Sequence, residues 1–294
     1  TTPLYGGTYH LMHHLLEHLG MHGVPVAAGD TPGMAKAIQS TPNLRVVFIE
    51  TPANPLIIMT DIAAAVSATK RCAKPPMVVV DNTFLGPTFQ HPLLQGAGLV
   101  VYSATKYLSG FSDLLGGIIL AADRDLITQL HGIRAILGNI LQADECWMLD
   151  GRLPTVTLRM NRQSKNAQRI AESLAEHPKI KNMHYPSLFK DPEQIRIRDA
   201  QCHFPGALMS FELKGGKQAA YDFLRNLEIG RNAVSLGGVE TLVCHPATTT
   251  HSELSAEDKK SYGVVDSLVR ISVGIEDWRD LLHDFHQALE AVKA

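Results

Sequence analysis

Short apolar runs that end in a polar residue alternate with helix-forming segments in the first half of this chain, and this alternation most constrains its fold. Arg45–Glu50 and Met77–Val80 are almost continuously apolar and β-branched, and a third short run leads to Ser103. A segment with helical periodicity, Ile62–Cys72, separates the first two runs. Such strands, joined by helices, are typical of a parallel sheet covered on both faces. We therefore predict an α/β fold.

Further elements are predicted around these strands. Residues 8–20 carry apolar side chains at helical spacing. A short strand is predicted at Val24–Ala28 and a buried strand at Ile118–Ala122. A helix is predicted to begin with Asp30 or Thr31 as its N-cap, since Pro32 stands near its first turn.

The pattern changes after about residue 145. A long amphipathic helix (Arg159–Glu176) is followed by a strand (Ile180–Tyr185) and by Gly206–Leu213, a strand with alternating faces. The remaining predicted elements are a helix at Ala219–Leu227, a strand at Val269–Val273 and a closing helix at Trp278–Val292. This is an α+β pattern. We place the boundary between Gln142 and Arg159, which gives domains at 1–148 and 149–294.

Bulk properties exclude several classes of protein. The 294 residues carry a net charge of −2, with 45% apolar and 19% charged residues, so neither nucleic acid nor an anionic membrane is predicted as a partner. We find no stretch long enough to span a bilayer and no signal peptide. The four cysteines are scattered, which fits a reducing cytoplasm. His13, His14 and His18 have no further ligand nearby, so no metal site is predicted.

Two strand ends carry the residues of most chemical interest. Asp81 follows Val78–Val80, and Lys106 follows Ser103 and Thr105. Parallel strands end on the same side of a sheet, where ligands bind, so Asp81 and Lys106 are expected to face one crevice. A lysine that forms a Schiff base, an acid that pairs with a pyridinium nitrogen and hydroxyls that hold a phosphate are what pyridoxal phosphate needs from a protein. Taken singly, each segment is equally consistent with an ordinary strand end or a solvated loop.

We expect Ser103 and Thr105 to lie on one face of an extended segment, from which both hydroxyls reach a phosphate. A lysine amine in such a site needs burial or a nearby cation to approach neutrality.

Three other positions have both a functional and a structural interpretation. Asn54 lies in a rigid Pro-x-Asn-Pro loop and is, on spacing alone, more simply a turn residue. Tyr5 precedes two glycines at a helix entry, where a ring can stack on a flat cofactor. Arg270 lies inside an apolar strand and needs a carboxylate partner, either that of a substrate or an internal one such as Glu276 or Asp277. Ser235 and Thr250 are polar residues of loop-rich segments.

Together these motifs resemble the Cys/Met-metabolism PLP-dependent enzymes, a family that includes cystathionine γ-synthase, cystathionine γ-lyase, methionine γ-lyase and the homoserine sulfhydrylases. The resemblance runs in order along nearly the whole chain. It rests on Tyr5-Gly-Gly, Glu50-Thr-Pro-Ala-Asn-Pro, Val80-Asp-Asn-Thr-Phe, Ser103-Ala-Thr-Lys, Ser235-Leu-Gly-Gly-Val-Glu, His245-Pro-Ala-Thr and Leu268-Val-Arg-Ile-Ser-Val-Gly.

The resemblance implies a fold, a cofactor and a reaction. The fold would be the type I PLP-dependent transferase fold, similar to aspartate aminotransferase, with a mostly parallel sheet in the large domain and a smaller C-terminal α+β domain. The cofactor would be pyridoxal 5'-phosphate. The reaction would be elimination or replacement at Cγ (or Cβ) of a sulfur amino acid or an O-acylhomoserine, through a Lys106 aldimine and a quinonoid. A homotetramer built from dimers, with active sites at subunit interfaces, and a cytoplasmic location are also implied.

The resemblance also implies a role for each site residue. Lys106 would bind the cofactor and move protons, Asp81 would pair with the pyridinium and Tyr5 would stack on the ring. Ser103 and Thr105 would bind phosphate, Asn54 would contact the ring hydroxyl and Glu50 would help position active-site groups. Arg270 would bind the substrate carboxylate, helped by the Ser235 backbone, and Thr250 would orient Lys106 or Arg270.

Some positions depart from the family pattern. Gly7 stands where methionine γ-lyases of the best-known type carry a cysteine, and Val234 stands where cystathionine-handling enzymes often carry a glutamate. The sequence begins near the stacking tyrosine, so the family's N-terminal phosphate turn and its arm to the neighbouring subunit lie outside these 294 residues. An active enzyme and a catalytically impaired homologue with an assembly or regulatory role are therefore both considered.

Overall fold

A computed structural model describes residues 1–292. Its first sheet has four strands in the order β1-β2-β3-β4. These are β1 (Val46–Glu50), β2 (Met77–Asp81), β3 (Leu99–Ser103) and β4 (Gly117–Leu120). The first three run parallel, and β4 runs antiparallel to β3 at the edge. The predicted, mostly parallel sheet is confirmed.

Six helices accompany this sheet: α1 (Gly6–His10), α2 (Thr31–Ser40), α3 (Ile62–Thr69), α4 (Gly86–Phe89), α5 (Arg124–Leu137) and α6 (Ala143–Arg152). The predicted cap of α2 is Asp30, whose carboxylate accepts a hydrogen bond from the Gly33 amide. Buried side chains of α2 and α3, such as Ile38 and Ile62, pack with Ile49 and Val80 of the strands. Because these helices cover β1 and β2, the strands need no polar face.

The second sheet has five strands in the order β5-β6-β9-β8-β7. They are β5 (Ile180–His184), β6 (Leu208–Leu213), β7 (Arg231–Asn232), β8 (Leu242–Cys244) and β9 (Leu268–Ser272). The helices of this half are α7 (Val156–Leu174), α8 (Pro192–Gln201), α9 (Gly216–Arg225), α10 (Ala256–Ser261) and α11 (Trp278–Ala291). The largest apolar cluster joins α7, α9 and α11 to this sheet and includes Ile57 and Leu85 from the first half. No helix within residues 1–292 combines the length and the apolarity needed to cross a membrane.

Three predicted elements differ in the structure. Val24–Ala28 is not a strand, because only an isolated bridge joins Ala27 to Thr2. The strand predicted at Ile118–Ala122 is the edge strand β4, which has no outer neighbour and leaves Ile119 and Leu120 exposed. The strand predicted to have alternating faces, β6, is buried along its whole length. The reason is that a loop of the first half also contacts it, where the Ser210 hydroxyl donates to the Pro55 carbonyl at 2.6 Å.

The predicted helix over residues 8–20 is helical but irregular. Gly6–His10 is an α-helix, Leu11–Leu16 has π-helical hydrogen bonds and Glu17–Leu19 forms a 3₁₀ turn. Within these three segments no side chain is buried. The helical spacing was therefore read correctly, but its apolar side chains do not pack against this subunit's core.

Candidate active site

Asp81 and Lys106 lie beside one cavity of about 180 Å³, at the ends of β2 and β3. This is the placement that the order of the strands predicts. Asp81 ends β2, and Lys106 lies in a π-helical turn (Ala104–Leu108) that follows β3. The same cavity is lined by Tyr5, Glu50, Asn54, Thr83, Ser103, Thr105, Ser235, Thr250 and Arg270, so it collects nearly all the predicted site residues.

Asp81 is held by a tight turn that the sequence analysis did not single out. Its carboxylate accepts a hydrogen bond from the Thr83 amide at 2.9 Å, and the Thr83 hydroxyl accepts one from the Ser103 amide at 2.9 Å. The turn therefore ties the end of β2 to the end of β3. Burial raises the pKa of the Asp81 carboxyl. The Asp-x-Thr pattern, a common side-chain turn, was the available signal for Thr83.

Glu50 lies beside Asp81 in the register of β1 and β2. Burial, with a contribution from the Asp81 carboxylate, raises the pKa of Glu50 to about 8. Its carboxyl accepts a hydrogen bond from the Tyr5 amide at 2.8 Å. Glu50 thus fixes the backbone from which the Tyr5 ring projects toward the cavity.

The Lys106 amine donates to the Ser235 hydroxyl at 2.8 Å. Burial lowers the pKa of Lys106 to about 8, and the positive charge of Arg270 contributes in the same direction. Both of the causes expected to bring this amine toward neutrality are therefore present.

Ser103 and Thr105 both line the cavity, but they do not share the extended segment that was predicted. Strand β3 ends at Ser103, and Thr105 already lies in the helical turn. The Thr105 hydroxyl accepts a hydrogen bond from the Gly116 amide at 3.0 Å. The chain leaves the extended conformation here because it reverses toward β4, so the two hydroxyls lie on different backbone elements.

Arg270 makes no internal salt bridge with Glu276 or Asp277. Its Nη1 donates to the Asn54 side-chain oxygen at 3.0 Å, and its Nη2 donates to the Ser235 carbonyl at 2.9 Å. Glu276 instead accepts from Thr241, and Asp277 pairs with Arg279. The buried Arg270 Nε has no hydrogen-bond partner among residues 1–292. Arg270 is therefore a held guanidinium with spare donors and no carboxylate.

Asn54 is more than the turn residue that its spacing suggested, because its side chain holds Arg270. Thr250 is expected to orient Lys106 or Arg270, and its hydroxyl lies 2.9 Å from His251 Nδ1. His251 Nε2 lies 3.2 Å from the Asn54 carbonyl. The sequence analysis did not select His251, whose position next to Thr250 was the available signal.

A second, more open cavity of about 1250 Å³ adjoins Lys106. Tyr5, Gly7, Val234 and Ser235 line it, and the Val234 side chain is half-exposed. A Cβ atom on Gly7 would come within 2.7 Å of Tyr5 Cε1, so a larger residue at this position would require the tyrosine ring to shift. This cavity gives the Lys106 amine access to molecules larger than the inner cavity holds.

Three buried polar residues of α7 hold the loops around the site. Arg159 Nη1 donates to the Tyr107 carbonyl at 2.7 Å, next to Lys106. Gln163 Nε2 donates to the Gly238 carbonyl at 2.7 Å, in the turn that follows Ser235. Asn166 donates to the Gly274 carbonyl at 3.1 Å, just after β9. Their spacing places them on one helix face, which the predicted amphipathic pattern did not distinguish from an ordinary core face.

Comparisons with known proteins show which family this chain resembles in sequence and in structure. The family model described as Cys/Met metabolism PLP-dependent enzyme matches residues 1–290. A cystathionine gamma-lyase of Bacillus subtilis is 38% identical over 99% of this chain and 76% of its own length. An L-methionine gamma-lyase of Pseudomonas putida is 41% identical over 98% of this chain and 71% of its own length. The crystal structure of cystathionine gamma-lyase from Lactobacillus plantarum superposes with a TM-score of 0.93 at 34% identity, covering 98% of this chain and 74% of that one.

The cavity fits the cofactor that this family uses, pyridoxal 5'-phosphate. The buried Asp81 carboxyl faces the cavity without a cation beside it, and a protonated pyridine nitrogen would supply one. Lys106 supplies the amine, and Ser103 and Thr105 supply hydroxyls. The alternative of an impaired homologue is not favoured, and the type I PLP-dependent transferase fold is confirmed. The chain belongs to the Cys/Met metabolism PLP-dependent enzyme family, so it is an enzyme whose cofactor is pyridoxal 5'-phosphate.

Proposed function

We propose that this enzyme is a carbon–sulfur lyase or γ-replacement transferase that acts at Cγ (or Cβ) of a sulfur amino acid or an O-acylhomoserine. One observation carries the proposal: the Lys106 amine, whose pKa burial lowers to about 8, lines the inner cavity together with the held guanidinium of Arg270. An amine that is readily deprotonated, next to a cation with free donors, suits an α-amino acid whose Cα proton must be removed.

The residues of the inner cavity would hold the cofactor. Lys106 would bind it covalently, Asp81 would pair with its ring nitrogen, and Tyr5, fixed by Glu50, would stack on its ring. Ser103 and Thr105 would donate to its phosphate, and Asn54, which lines the cavity, would contact the ring hydroxyl. When bound, pyridoxal phosphate acts as an electron sink for negative charge at the substrate Cα.

Arg270 and Lys106 would act on the substrate itself. The spare donors of Arg270 would bind the α-carboxylate, and its contacts with Asn54 and Ser235 would fix its orientation. Lys106 would take the Cα proton and then a Cβ proton, because it is the only lysine among the described residues that line the two cavities. Thr250 would support the clamp through its contact with His251. Departure of the γ-substituent followed by water gives a 2-oxo acid and ammonia, whereas addition of a thiol gives a replacement product.

Two positions in the outer cavity bear on the choice of substrate. Val234 presents an apolar, half-exposed side chain where a carboxylate would be needed to bind a distal ammonium group. Gly7 has no thiol, and the Tyr5 ring fills the space beside it. We therefore propose that methionine-like or O-acylhomoserine substrates are preferred over cystathionine.

A substrate panel tests this proposal. Purified holoenzyme is given methionine, homocysteine, O-acetylhomoserine, O-succinylhomoserine, cystathionine and cysteine, with and without an added thiol, and 2-oxo acid and thioether products are measured. We expect an uncharged γ-substituent to give the highest kcat/KM, and Val234→Glu to shift the ratio toward cystathionine. Cystathionine as the best substrate of the unmodified enzyme would overturn the argument from Val234, and no turnover of any of the six would overturn the proposed reaction.

We also propose a homotetramer built from dimers, with active sites at the subunit interfaces. Within Arg124–Leu137 no side chain is buried, although the helix carries apolar residues. Ile133, Ile136 and Leu137 are exposed. The helical segment over residues 6–19 likewise exposes Leu11, Leu15 and Leu19. Apolar faces of this kind are typical of subunit contacts, and a second copy of the chain is the proposed occupant. Light scattering that finds an active monomer would refute this.

Two domains and a location in the cell are also proposed. We propose a cofactor-binding domain at 1–148, which contains β1–β4, and a C-terminal domain at 149–294, which contains β5–β9. The boundary falls within α6, so limited proteolysis on either side of Ala143–Arg152 is the appropriate test. A cytoplasmic location is also proposed, since the four cysteines are free thiols. Fractionation of the source cells would test it.

A further inference from the structure

His251 is a buried histidine with a polar partner on each side of its ring. It is 3% exposed and directly follows Thr250 in the chain. Its Nε2 lies 3.2 Å from the Asn54 backbone carbonyl, and its Nδ1 lies 2.9 Å from the Thr250 hydroxyl. A carbonyl oxygen can only accept, so Nε2 must carry the proton, and Nδ1 of the neutral ring then accepts from the Thr250 hydroxyl.

The electrostatic surroundings keep this ring neutral. Burial, together with the positive charges of Arg270 and Lys259, lowers the pKa of His251 to about 4. A protonated ring would also lose the acceptor that the Thr250 hydroxyl needs. The imidazole is therefore held as a single tautomer between two fixed partners.

Asn54 links His251 to Arg270. The Asn54 carbonyl accepts from His251, while the Asn54 side-chain oxygen accepts from Arg270 Nη1. The backbone and the side chain of one residue thus connect the imidazole to the guanidinium. Moving the Asn54 backbone by a few tenths of an ångström would change the direction in which the Arg270 donors point.

We propose that His251 is a positioning residue for the substrate-carboxylate clamp: its Nε2–H holds the Asn54 loop and thereby sets the orientation of the Arg270 guanidinium. This inference rests on the proposed role of Arg270 in binding the α-carboxylate. His251 borders the outer cavity, but both of its ring nitrogens are engaged by Thr250 and Asn54, so its replacement should act on carboxylate recognition and not on proton transfer by Lys106.

Two substitutions separate the hydrogen bonds of the ring. In His251→Gln the side-chain amide nitrogen can occupy the place of Nε2 and keep the donor to the Asn54 carbonyl. In His251→Asn the shorter side chain reaches only the Nδ1 side and loses that donor. His245 is the matched control, since it is also buried and lies between a threonine hydroxyl (Thr248, 2.8 Å) and a backbone carbonyl (Asp266, 2.7 Å).

The readout compares two ligands of the holoenzyme. L-Methionine has the α-carboxylate, and 3-(methylthio)propylamine is the same molecule without it. Binding of both is followed by the change in cofactor absorbance. We expect His251→Asn to weaken methionine binding about tenfold and amine binding less than twofold, the effect of one lost hydrogen bond. His251→Gln should restore methionine binding to within about threefold of the unmodified enzyme.

Several results would overturn the inference. Equal weakening of both ligands by His251→Asn, or a Gln variant as weak as the Asn variant, would refute the positioning role. A methionine-specific loss in His245→Asn as large as that in His251→Asn would do the same. If His251→Asn does not fold, Thr250→Val replaces it, because loss of the hydroxyl donor frees the ring; an unchanged methionine affinity in that variant refutes the inference.

Arg270→Lys distinguishes this inference from the function on which it rests. If Arg270→Lys weakens methionine but not the amine while His251→Asn leaves both unchanged, only the role of His251 fails. If Arg270→Lys changes the affinities for methionine and for the amine by the same factor, the proposed carboxylate site fails, and the role of His251 fails with it.

Discussion

The two sides of the active site are held in different ways. Lys106 and Asp81 lie at the ends of neighbouring parallel strands, and one tight turn through Thr83 joins those ends. Arg270 and Ser235 belong to the second half of the chain, and hydrogen bonds that span 216 and 129 residues connect them to Asn54 and Lys106. The strand-end side is thus fixed by sheet topology, whereas the Arg270 side depends on individual side chains that bridge distant segments.

This difference implies a division of labour. In the proposed function the strand-end side carries the groups that do chemistry, so a single substitution there should remove a function without moving the scaffold. The Arg270 side would bind the substrate carboxylate, and substitutions in the loops that hold it should weaken this binding only partly. Four predictions test this contrast: the first three concern activity, in order of decreasing effect, and the last concerns stability.

The largest effect is expected for Lys106→Ala. Removal of the amine eliminates both the covalent link to the cofactor and the base, so turnover should fall by at least about a thousandfold. Release of 2-oxo acid measures the rate, and the absorbance of the lysine-bound cofactor should disappear. Lys74→Ala, at an exposed lysine, is the control and should keep full activity. Near-normal turnover without Lys106 would sink the assignment.

Asp81→Asn should come next. The amide cannot pair with a pyridinium as a carboxylate does, so the rate of Cα proton removal should fall roughly a hundredfold or more. Exchange of the substrate Cα proton with solvent deuterium, followed by NMR, measures this step directly. Asp123→Asn, at the exposed cap of α5, should leave the rate unchanged. Unaltered exchange in Asp81→Asn would make Asp81 a structural residue.

The same contrast explains what the sequence could predict. Lys106 and Asp81 were found because strand order and spacing are local properties, and the direction of parallel strands places their ends together. The contact of Asn54 with Arg270 could not be read from spacing, since it joins the loop after β1 to strand β9, 216 residues away. For the same reason the polar stripe on α7 and the role of His251 were missed: a buried amide or imidazole looks the same in a sequence whether it holds an active-site loop or caps a turn.

Strand β6 gives a further example of this limit. Its alternating pattern predicted one polar face, but the loop that contains Pro55 packs against that face. Only the approach of the two halves of the chain determines that contact. The placement of strand ends within one sheet was therefore predictable, whereas the contacts between the two halves of the chain were not.

Gln163→Leu should affect the Arg270 side moderately. The substitution removes the donor to the Gly238 carbonyl and loosens the turn that carries Ser235, so KM for α-amino acids should rise several-fold. The free energy of unfolding should change by less than about 1 kcal/mol, since the variant also removes the buried Gln163 Oε1, which has no partner among residues 1–292. Substrate titration and chemical denaturation measure the two quantities.

Gln168→Leu is the matched control on the same helix. Its amide bonds only to the neighbouring Glu172, away from the site, so KM should stay unchanged. A large loss of stability in Gln163→Leu with an unchanged KM would show that Gln163 stabilises the fold without positioning the loops.

The last prediction concerns stability and the unfavourable burial of the Lys106 amine on the strand-end side. In the cofactor-free enzyme, burial lowers the pKa of Lys106 from 10.5 to about 8. Below pH 8 the amine is protonated in both the folded and the unfolded chain, and the folded state bears the full cost of the buried charge. Between pH 8 and 10.5 the unfolded chain binds more protons than the folded one, so this contribution to stability becomes more favourable as the pH rises.

Lys106→Met isolates this cost, because methionine fills a similar volume without a charge. The variant should be more stable than the unmodified enzyme at pH 7, by at most about 3 kcal/mol, and the difference should shrink toward pH 10.5. Urea denaturation of the two cofactor-free proteins at several pH values measures the gap, and titration of all other groups cancels in the comparison. A gap that stays constant from pH 7 to 10.5 would mean that the Lys106 amine is hydrated and not held near neutrality. Burial of the Lys106 amine would then not destabilise the strand-end side. The proposed role of Lys106 as a base would have to depend on the cofactor alone.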